Sequence, residues 1–170
     1  MNRFLRGFAA DRRGATVVEF ALIAGPFLAL VIGILETGLL FFAQEVLQTS
    51  TSQAARAIMT GQAQAQGMTS AQFQQLVCTN ATPLLTCGNM SVNVQTFASF
   101  GAINQLNPVQ NGAVNANTMN YQMGGPGDIV LVQVFYQWPV DTGPLNFNLA
   151  DLSGNQNLLL ATAVFRNEPY

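Results

Sequence analysis

The chain has 170 residues, of which only six are basic and eight acidic, so charged residues are 8% of the sequence, about a third of the usual share. It contains no histidine and no lysine, which excludes Schiff-base lysines, histidine-based catalytic triads and histidine metal sites. Its two cysteines cannot complete a four-ligand zinc site, and a net charge of -2 disfavours nucleic-acid binding. We therefore expect no enzymatic activity, no cofactor and no nucleic-acid partner.

The N-terminal region has the charge distribution of a membrane anchor. Four of the six arginines lie in the first thirteen residues, and no charge occurs between Glu19 and Glu36. The apolar stretch 15–43 is long enough to cross ~30 Å of hydrocarbon, and the basic residues ahead of it favour a cytoplasmic amino end. A cleaved secretory signal is the competing interpretation, but the helical pattern continues without a signal-type cleavage site. The sequence predicts one helix over about residues 15–60, membrane-spanning over 15–43, soluble over 44–60 and stopped by Gly61.

Two residues in this span are unusual. Glu19 places a carboxylate where hydrocarbon disfavours it by roughly a few kcal/mol. Two explanations remain open: a shallow carboxylate that reaches the headgroups, or a carboxylate that pairs with a cation from another chain. Pro26 removes one backbone donor and predicts a kink near Leu22, which a membrane helix tolerates.

Small residues recur at every fourth position of the span and fall near one helix face. Such a seam allows a second helix to approach closely in lipid, although small residues are common in membrane helices generally. Both interpretations stay open for the seam, which consists of Ala21, Gly25, Ala29, Gly33 and Thr37.

The string RRGATVVEF, residues 12–20, resembles the processing region of the tight-adherence (Tad, or Flp) type IV pilins. Precursors of that kind have a basic leader that ends in glycine, and a glutamate and an aromatic follow as the fifth and sixth mature residues. Here Gly14 would end the leader, Ala15 would begin the mature chain, and Glu19 and Phe20 would hold the fifth and sixth positions. With residues 52–64, 126–140 and 161–170, the chain is similar to the TadE-like minor pseudopilins.

The resemblance implies a membrane protein that takes part in pilus assembly. A prepilin peptidase would remove residues 1–14, and the new amine on Ala15 would pair with Glu19 of its own or a neighbouring chain. The implied partners are the inner membrane, the prepilin peptidase, other Tad pseudopilins, the major Flp pilin and the inner-membrane Tad platform. The amino end would be cytoplasmic and residues 61–170 periplasmic. An unprocessed single-pass scaffold of the same system and a generic membrane-anchored binding module are the alternatives.

The region after the helix begins with a predicted flexible linker over residues 61–67. Thr69 and Gln72 have the spacing of a capping box, which predicts a short helix through Val77. In an oxidising periplasm we expect a disulfide between Cys78 and Cys87, worth ~2 to 3 kcal/mol; free thiols are the alternative.

Three segments of the C-terminal region, 91–97, 128–140 and 158–165, have the composition of strands. They predict an α+β fold in which a small antiparallel sheet packs against the outer half of the long helix. Tyr136 and Trp138 share one strand face and are expected in the core, and residues 100–127 are expected to form a long surface loop. The three carboxylates that could bind calcium have no EF-hand spacing and are interpreted as solvated turn residues: Asp128, Asp141 and Asp151.

Overall fold

The computed structural model of the chain describes residues 14–140 and 150–169. The predicted leader, except for Gly14, and Asp141 lie outside the described residues. The fold is α+β, as predicted, with helices α1 (Ala15–Met59), α2 (Gln62–Ala65) and α3 (Ser70–Ala81) and strands β1 (Met90–Phe97), β2 (Val109–Gln110), β3 (Ala113–Val114), β4 (Ile129–Pro139) and β5 (Gln156–Arg166). The described residues divide into two compact units, one that ends at Gly38 and one that begins at Leu39.

The first unit contains the N-terminal part of α1. Most of its large apolar side chains are exposed, with Phe20 and Ile23 each 72% accessible. A water-soluble protein would bury most of these side chains, because exposed apolar area is unfavourable in water. This part of α1 is long and apolar enough to cross a membrane.

The second unit has a hydrophobic core, beside which the C-terminal part of α1 presents a stripe of buried residues. The stripe has the three-to-four-residue spacing of one helix face and packs in the same cluster as β1, β4 and β5. Its members are Ala43, Leu47, Ser50, Thr51, Ala54, Ala55 and Ile58.

The end of α1 confirms the predicted glycine stop. Gly61 has a φ of 77°, in the left-handed region that glycine adopts most easily, and its N–H donates to the carbonyl of Ile58. The flexible linker predicted over residues 61–67 is wrong. Residues 62–65 form α2, in which Ala63 is fully buried and the Gln64 amide donates to the carbonyls of Ile58 and Met123.

Helix α3 begins with the predicted capping box. The Gln72 N–H donates to the Thr69 hydroxyl, and the Thr69 N–H donates to the Gln72 side chain. The helix ends at Ala81, four residues beyond the predicted end at Val77, because Cys78 and Ala81 continue its buried face.

The predicted antiparallel sheet is confirmed, with strand order β1-β4-β5. Its central strand β4 is buried on both faces. Val132 and Val134 belong to the core with the helices, whereas Leu131, Gln133 and Phe135 alternate with them and lie on the opposite face.

Side chains on the face of the sheet opposite the helices hold the long loop in place. The fully buried Gln133 side chain accepts from the Asn93 amide and from the backbone N–H of Leu106. Asn93 in turn accepts from the N–H of Asn120. The loop expected over residues 100–127 is therefore bonded to the sheet by buried amides, and it contains the short hairpin β2–β3.

Candidate functional site: the N-terminal helix and its junction with the sheet

The residues expected at the processing site lie at the beginning of α1. Ala15 is the first residue of α1, and the exposed Gly14, which lies in a 3-10 turn, directly precedes it. A Cβ added to Gly14 would meet no atom within 4 Å. The peptide bond that the resemblance marks for cleavage therefore coincides with the helix start.

Glu19 and Phe20 follow about one turn after this start, and both are exposed. Since α-helical residues four apart lie on the same face, the Glu19 carboxylate is one turn, or ~5 to 6 Å, along the axis from the backbone nitrogen of Ala15. Among residues 14–140 and 150–169, none forms an ion pair or hydrogen bond with the Glu19 carboxylate.

The predicted seam contains positions at which the backbone is open. A Cβ at Gly25 or Gly33 would meet no neighbouring atom within 4 Å. The Thr37 hydroxyl donates to the Gly33 carbonyl at 2.8 Å, so its polar atom is satisfied within the helix. Ala21 is exposed and Ala29 is 8% accessible. Helix α1 continues through Pro26, and both the seam as a packing surface and the kink stay predictions.

Two glutamines join the helix to the edge of the sheet, a feature that sequence reasoning missed. The Gln44 amide donates to the Leu160 carbonyl at 2.7 Å. The Gln48 amide donates to the Thr162 carbonyl at 3.0 Å and accepts from the Thr162 N–H at 3.2 Å. Gln48 thereby pairs with the β5 edge as a neighbouring strand would. The available signal was the four-residue spacing of the two glutamines, which places them on one face of the helix.

The C-terminal residues fasten the far end of the helix to the sheet. The N–H of Glu168 donates to the Met59 carbonyl at 2.9 Å. The Asn167 side chain, only 2% accessible, donates to the carbonyls of Met123 and Gly125. The C-terminal residues, which carry part of the family resemblance, therefore stabilise the packing of the end of α1 in the second unit.

The predicted disulfide is present between Cys78 and Cys87, whose Cα atoms are 5.4 Å apart. It joins α3 to the turn that precedes β1. The Gln74 amide crosses the same junction and donates to the carbonyls of Cys87 and Met90. Together these contacts tie α3 to the beginning of β1.

The carboxylates considered as calcium ligands have other roles where the structure describes them. Asp128 accepts from the N–H of Gly125, and Asp151 accepts from the N–H of Leu158. Within residues 14–140 and 150–169, no three histidine, cysteine or acidic residues come together in a way that could hold a metal ion.

The aromatic residues of the second unit pack as expected. Tyr136 is 2% accessible, and its ring centroid lies 6.2 Å from that of the half-buried Trp138, which packs against the core. Tyr121 lies 6.1 Å from Phe73, and burial raises the pKa of Tyr121 to about 12.

One comparison with known proteins finds a family that is similar to the N-terminal part of the chain. Residues 14–56 match the family model described as TadE-like protein, which is 43 of the 170 residues. No curated protein and no solved structure matches the chain. The matched segment begins at Gly14 and covers most of α1, including Glu19, the small residues and both glutamines of the junction. Over these residues the chain is similar to the TadE-like proteins.

Proposed function

We propose that this chain is a minor pseudopilin that acts in the initiation and assembly of the Tad/Flp pilus. It is made with the leader 1–14, inserts once into the inner membrane with its amino end in the cytoplasm, and holds residues 61–170 in the periplasm. A prepilin peptidase cuts after Gly14. Its role is assembly, without catalysis, a cofactor or nucleic-acid binding. Its partners are other Tad pseudopilins, the major Flp pilin and the inner-membrane Tad platform.

One observation carries this proposal. The family match begins at Gly14, and the apolar helix begins at the next residue, Ala15. Cleavage at this bond gives a mature chain that is helical from its first residue.

Cleavage also changes the electrostatics of the anchor. Removing four arginines and Asp11 takes the formal net charge from -2 to -5. The new ammonium on Ala15 lies one turn from Glu19, and the two charges attract strongly where little water screens them. Pairing with Glu19 of a neighbouring subunit would fix the relative height of the two helices, because only one axial offset brings the charges together.

The exposed apolar surface of α1 would also contribute to association between the helices of neighbouring subunits. In lipid, helices associate through close packing rather than through burial from water. Open backbone at Gly25 and Gly33 would allow such an approach, whereas Ala29 between them is already buried, at 8% accessible. The small-residue seam would therefore bring a neighbouring helix close enough for its amine to reach Glu19.

The mass of the protein purified from its own membranes tests the processing step. We expect a species that begins at Ala15 in a strain with an active prepilin peptidase, and the full chain in a strain without it. Gly14→Leu should block cleavage, because the large side chain stands beside the scissile bond. Gly7→Leu is the matched control in the leader and should be cut normally.

The other outcomes separate the alternatives. Full-length protein in the peptidase-active strain would replace the pseudopilin proposal with the unprocessed scaffold. A chain that begins well after Ala43 would contradict membrane anchoring altogether. A normally shortened Gly14→Leu product would show that the cleavage site is elsewhere.

A further inference from the structure

A cleft lies at one end of the three-stranded sheet. Phe97 pairs with Ile129, and Ile129 pairs with Arg166. Because directly opposed residues of neighbouring strands point to the same face, these three side chains lie in one row across the sheet. All three line the cleft, which has a volume of about 340 Å³ and is also lined by Ser99, Phe100, Gly127 and Asp128. Every lining residue belongs to the second unit.

The guanidinium of Arg166 is positioned by the backbone of a turn. Its Nε–H donates to the Gly127 carbonyl at 2.8 Å, and Gly127 has a φ of 82°, in the left-handed region that glycine adopts most easily. The Gly127 N–H donates to the Asn167 carbonyl at 3.1 Å, so the turn is bonded to the end of β5. One nitrogen of the guanidinium is thus used inside the protein, and the N–H donors of the two Nη groups are left for a ligand.

These donors carry a positive charge that no acidic side chain within residues 14–140 and 150–169 pairs with. Asp128 lines the same cleft, but its Oδ2 atom accepts from the Gly125 N–H at 2.8 Å and forms no ion pair with Arg166. A guanidinium with free donors is matched by a planar carboxylate, which can accept two parallel N–H bonds. The cleft is therefore suited to a carboxylate.

The apolar side chains of the cleft favour an apolar group beside that carboxylate. Phe97 is half-buried, Ile129 is 9% accessible and Phe100 is 58% exposed. Aromatic residues and arginine are the types that protein interfaces favour at their centre. The volume is near the lower end of the ~300–1,000 Å³ that small-molecule sites occupy, and the cleft is partly open to solvent. It therefore suits side chains that protrude from another protein better than a whole small molecule.

We infer that this cleft docks an acidic peptide segment of a partner protein. One carboxylate of the segment lies on the Arg166 guanidinium, and a neighbouring aromatic or aliphatic side chain packs against Phe97, Phe100 and Ile129. The inference goes beyond the proposed function, because it gives the folded unit a contact that needs neither leader cleavage nor Glu19.

The test titrates the isotope-labelled full chain, in mild detergent, with a blocked peptide in which phenylalanine and glutamate lie between two glycines. Because the chain has only six arginines, their Nε–H resonances can be resolved, and the signal that Arg166→Gln removes belongs to Arg166. We expect this resonance to shift saturably as the peptide is added. The resonance of Arg56 should not move.

The charge of the guanidinium is tested with two matched variants. Arg166→Gln can still donate to the Gly127 carbonyl but has no charge, so the dissociation constant should rise by about tenfold or more, read from the backbone amide of Phe100. Arg56→Gln removes the same charge from an exposed position on α1 and should bind the peptide as the wild-type chain does. Circular dichroism verifies that both variants keep the fold.

Two further variants test the remaining groups of the cleft. Phe100→Ala removes an exposed ring and should weaken binding by about threefold or more. Asp128→Asn keeps an oxygen for the Gly125 N–H and removes the negative charge that repels an acidic ligand, so binding should tighten by about twofold.

Control peptides identify the ligand class. A peptide with glutamine in place of glutamate, or alanine in place of phenylalanine, should bind more weakly than the original. Equal binding of the glutamine peptide would overturn the inference, because the carboxylate would then have no role. Inorganic phosphate that shifts the Arg166 resonance as strongly as the peptide would also overturn it and show a general anion site. Folded protein without a saturable shift would show that the cleft docks no such peptide.

Discussion

The junction between α1 and β5 provides the sharpest test of how the helix is held. Gln48→Ala removes both hydrogen bonds between the Gln48 side chain and the Thr162 backbone. The N–H and the carbonyl of Thr162 then lose the partners that the glutamine supplies. Each bond contributes about 0.5 to 1.5 kcal/mol net, and a partly buried unpaired group adds to the loss. We expect the free energy of unfolding to fall by about 2 kcal/mol. The assay is urea unfolding of the full chain in mild detergent, followed by Trp138 emission, in which the midpoint should drop by about 1 M.

Two further variants separate the hydrogen bonds from other effects. Gln53→Ala changes an exposed glutamine of the same helix whose side chain bonds to no described residue. This variant therefore has the same gain in helix propensity as Gln48→Ala but loses no hydrogen bond. Gln48→Met keeps the length of the side chain but cannot pair with Thr162. Stability of Gln48→Ala and Gln48→Met within about 0.5 kcal/mol of Gln53→Ala would refute the role given to the junction.

Three other predictions concern charge, covalent linkage and pH. Glu19→Ala should abolish pilus assembly while membrane insertion and leader cleavage stay normal, as measured by pilus counts and flotation; normal piliation would contradict the proposed charge pairing. Replacing Cys78 and Cys87 together by serine should destabilise the second unit by about 2.5 kcal/mol, measured by urea unfolding against the reduced wild-type chain, which should lose the same amount. Because burial raises the pKa of Tyr121 from 10.0 to about 12, the folded state holds this proton more tightly than the unfolded chain. Stability should therefore be intact below pH 10 and fall as the pH rises toward 12, and Tyr121→Phe should reduce that fall.

The parts of the fold that local pattern controls could be predicted from the sequence. The uncharged stretch before Glu36 and the Gly61 stop define α1, and the Thr69–Gln72 spacing defines the start of α3. The strands follow from their β-branched and aromatic residues, and their antiparallel pairing follows from the small number of ways to cover one helix face. The candidate processing site is equally local, since it depends on nine consecutive residues.

The features that were missed depend on contacts between distant residues. Residues 61–67 resemble a linker by composition, but Ala63 is small enough to enter the core and Gln64 finds the carbonyl of Met123, 59 residues away. Gln48 and Thr162 are 114 residues apart, and Asn93 and Gln133 are 40 apart. Glutamine and asparagine are common on protein surfaces. Composition therefore does not distinguish the glutamine and asparagine residues that bond to buried backbone groups from those that face water.

These amide contacts also bear on how subunits can associate. At one edge of the sheet, Gln44 and Gln48 occupy the outward backbone groups of Leu160 and Thr162. At the other edge, Val94 donates to the carbonyl of Asn120 and accepts from the N–H of Gln122.

A partner strand could add to either edge only by displacing these bonds, so strand addition is a costly route to assembly. The N-terminal part of α1 has the opposite character, because its apolar side chains stay exposed and the carboxylate of Glu19 has no described partner. We therefore expect association to run through the N-terminal part of α1. A Gln48 variant that loosens the junction should then destabilise the folded unit without preventing Glu19-dependent helix association in the membrane.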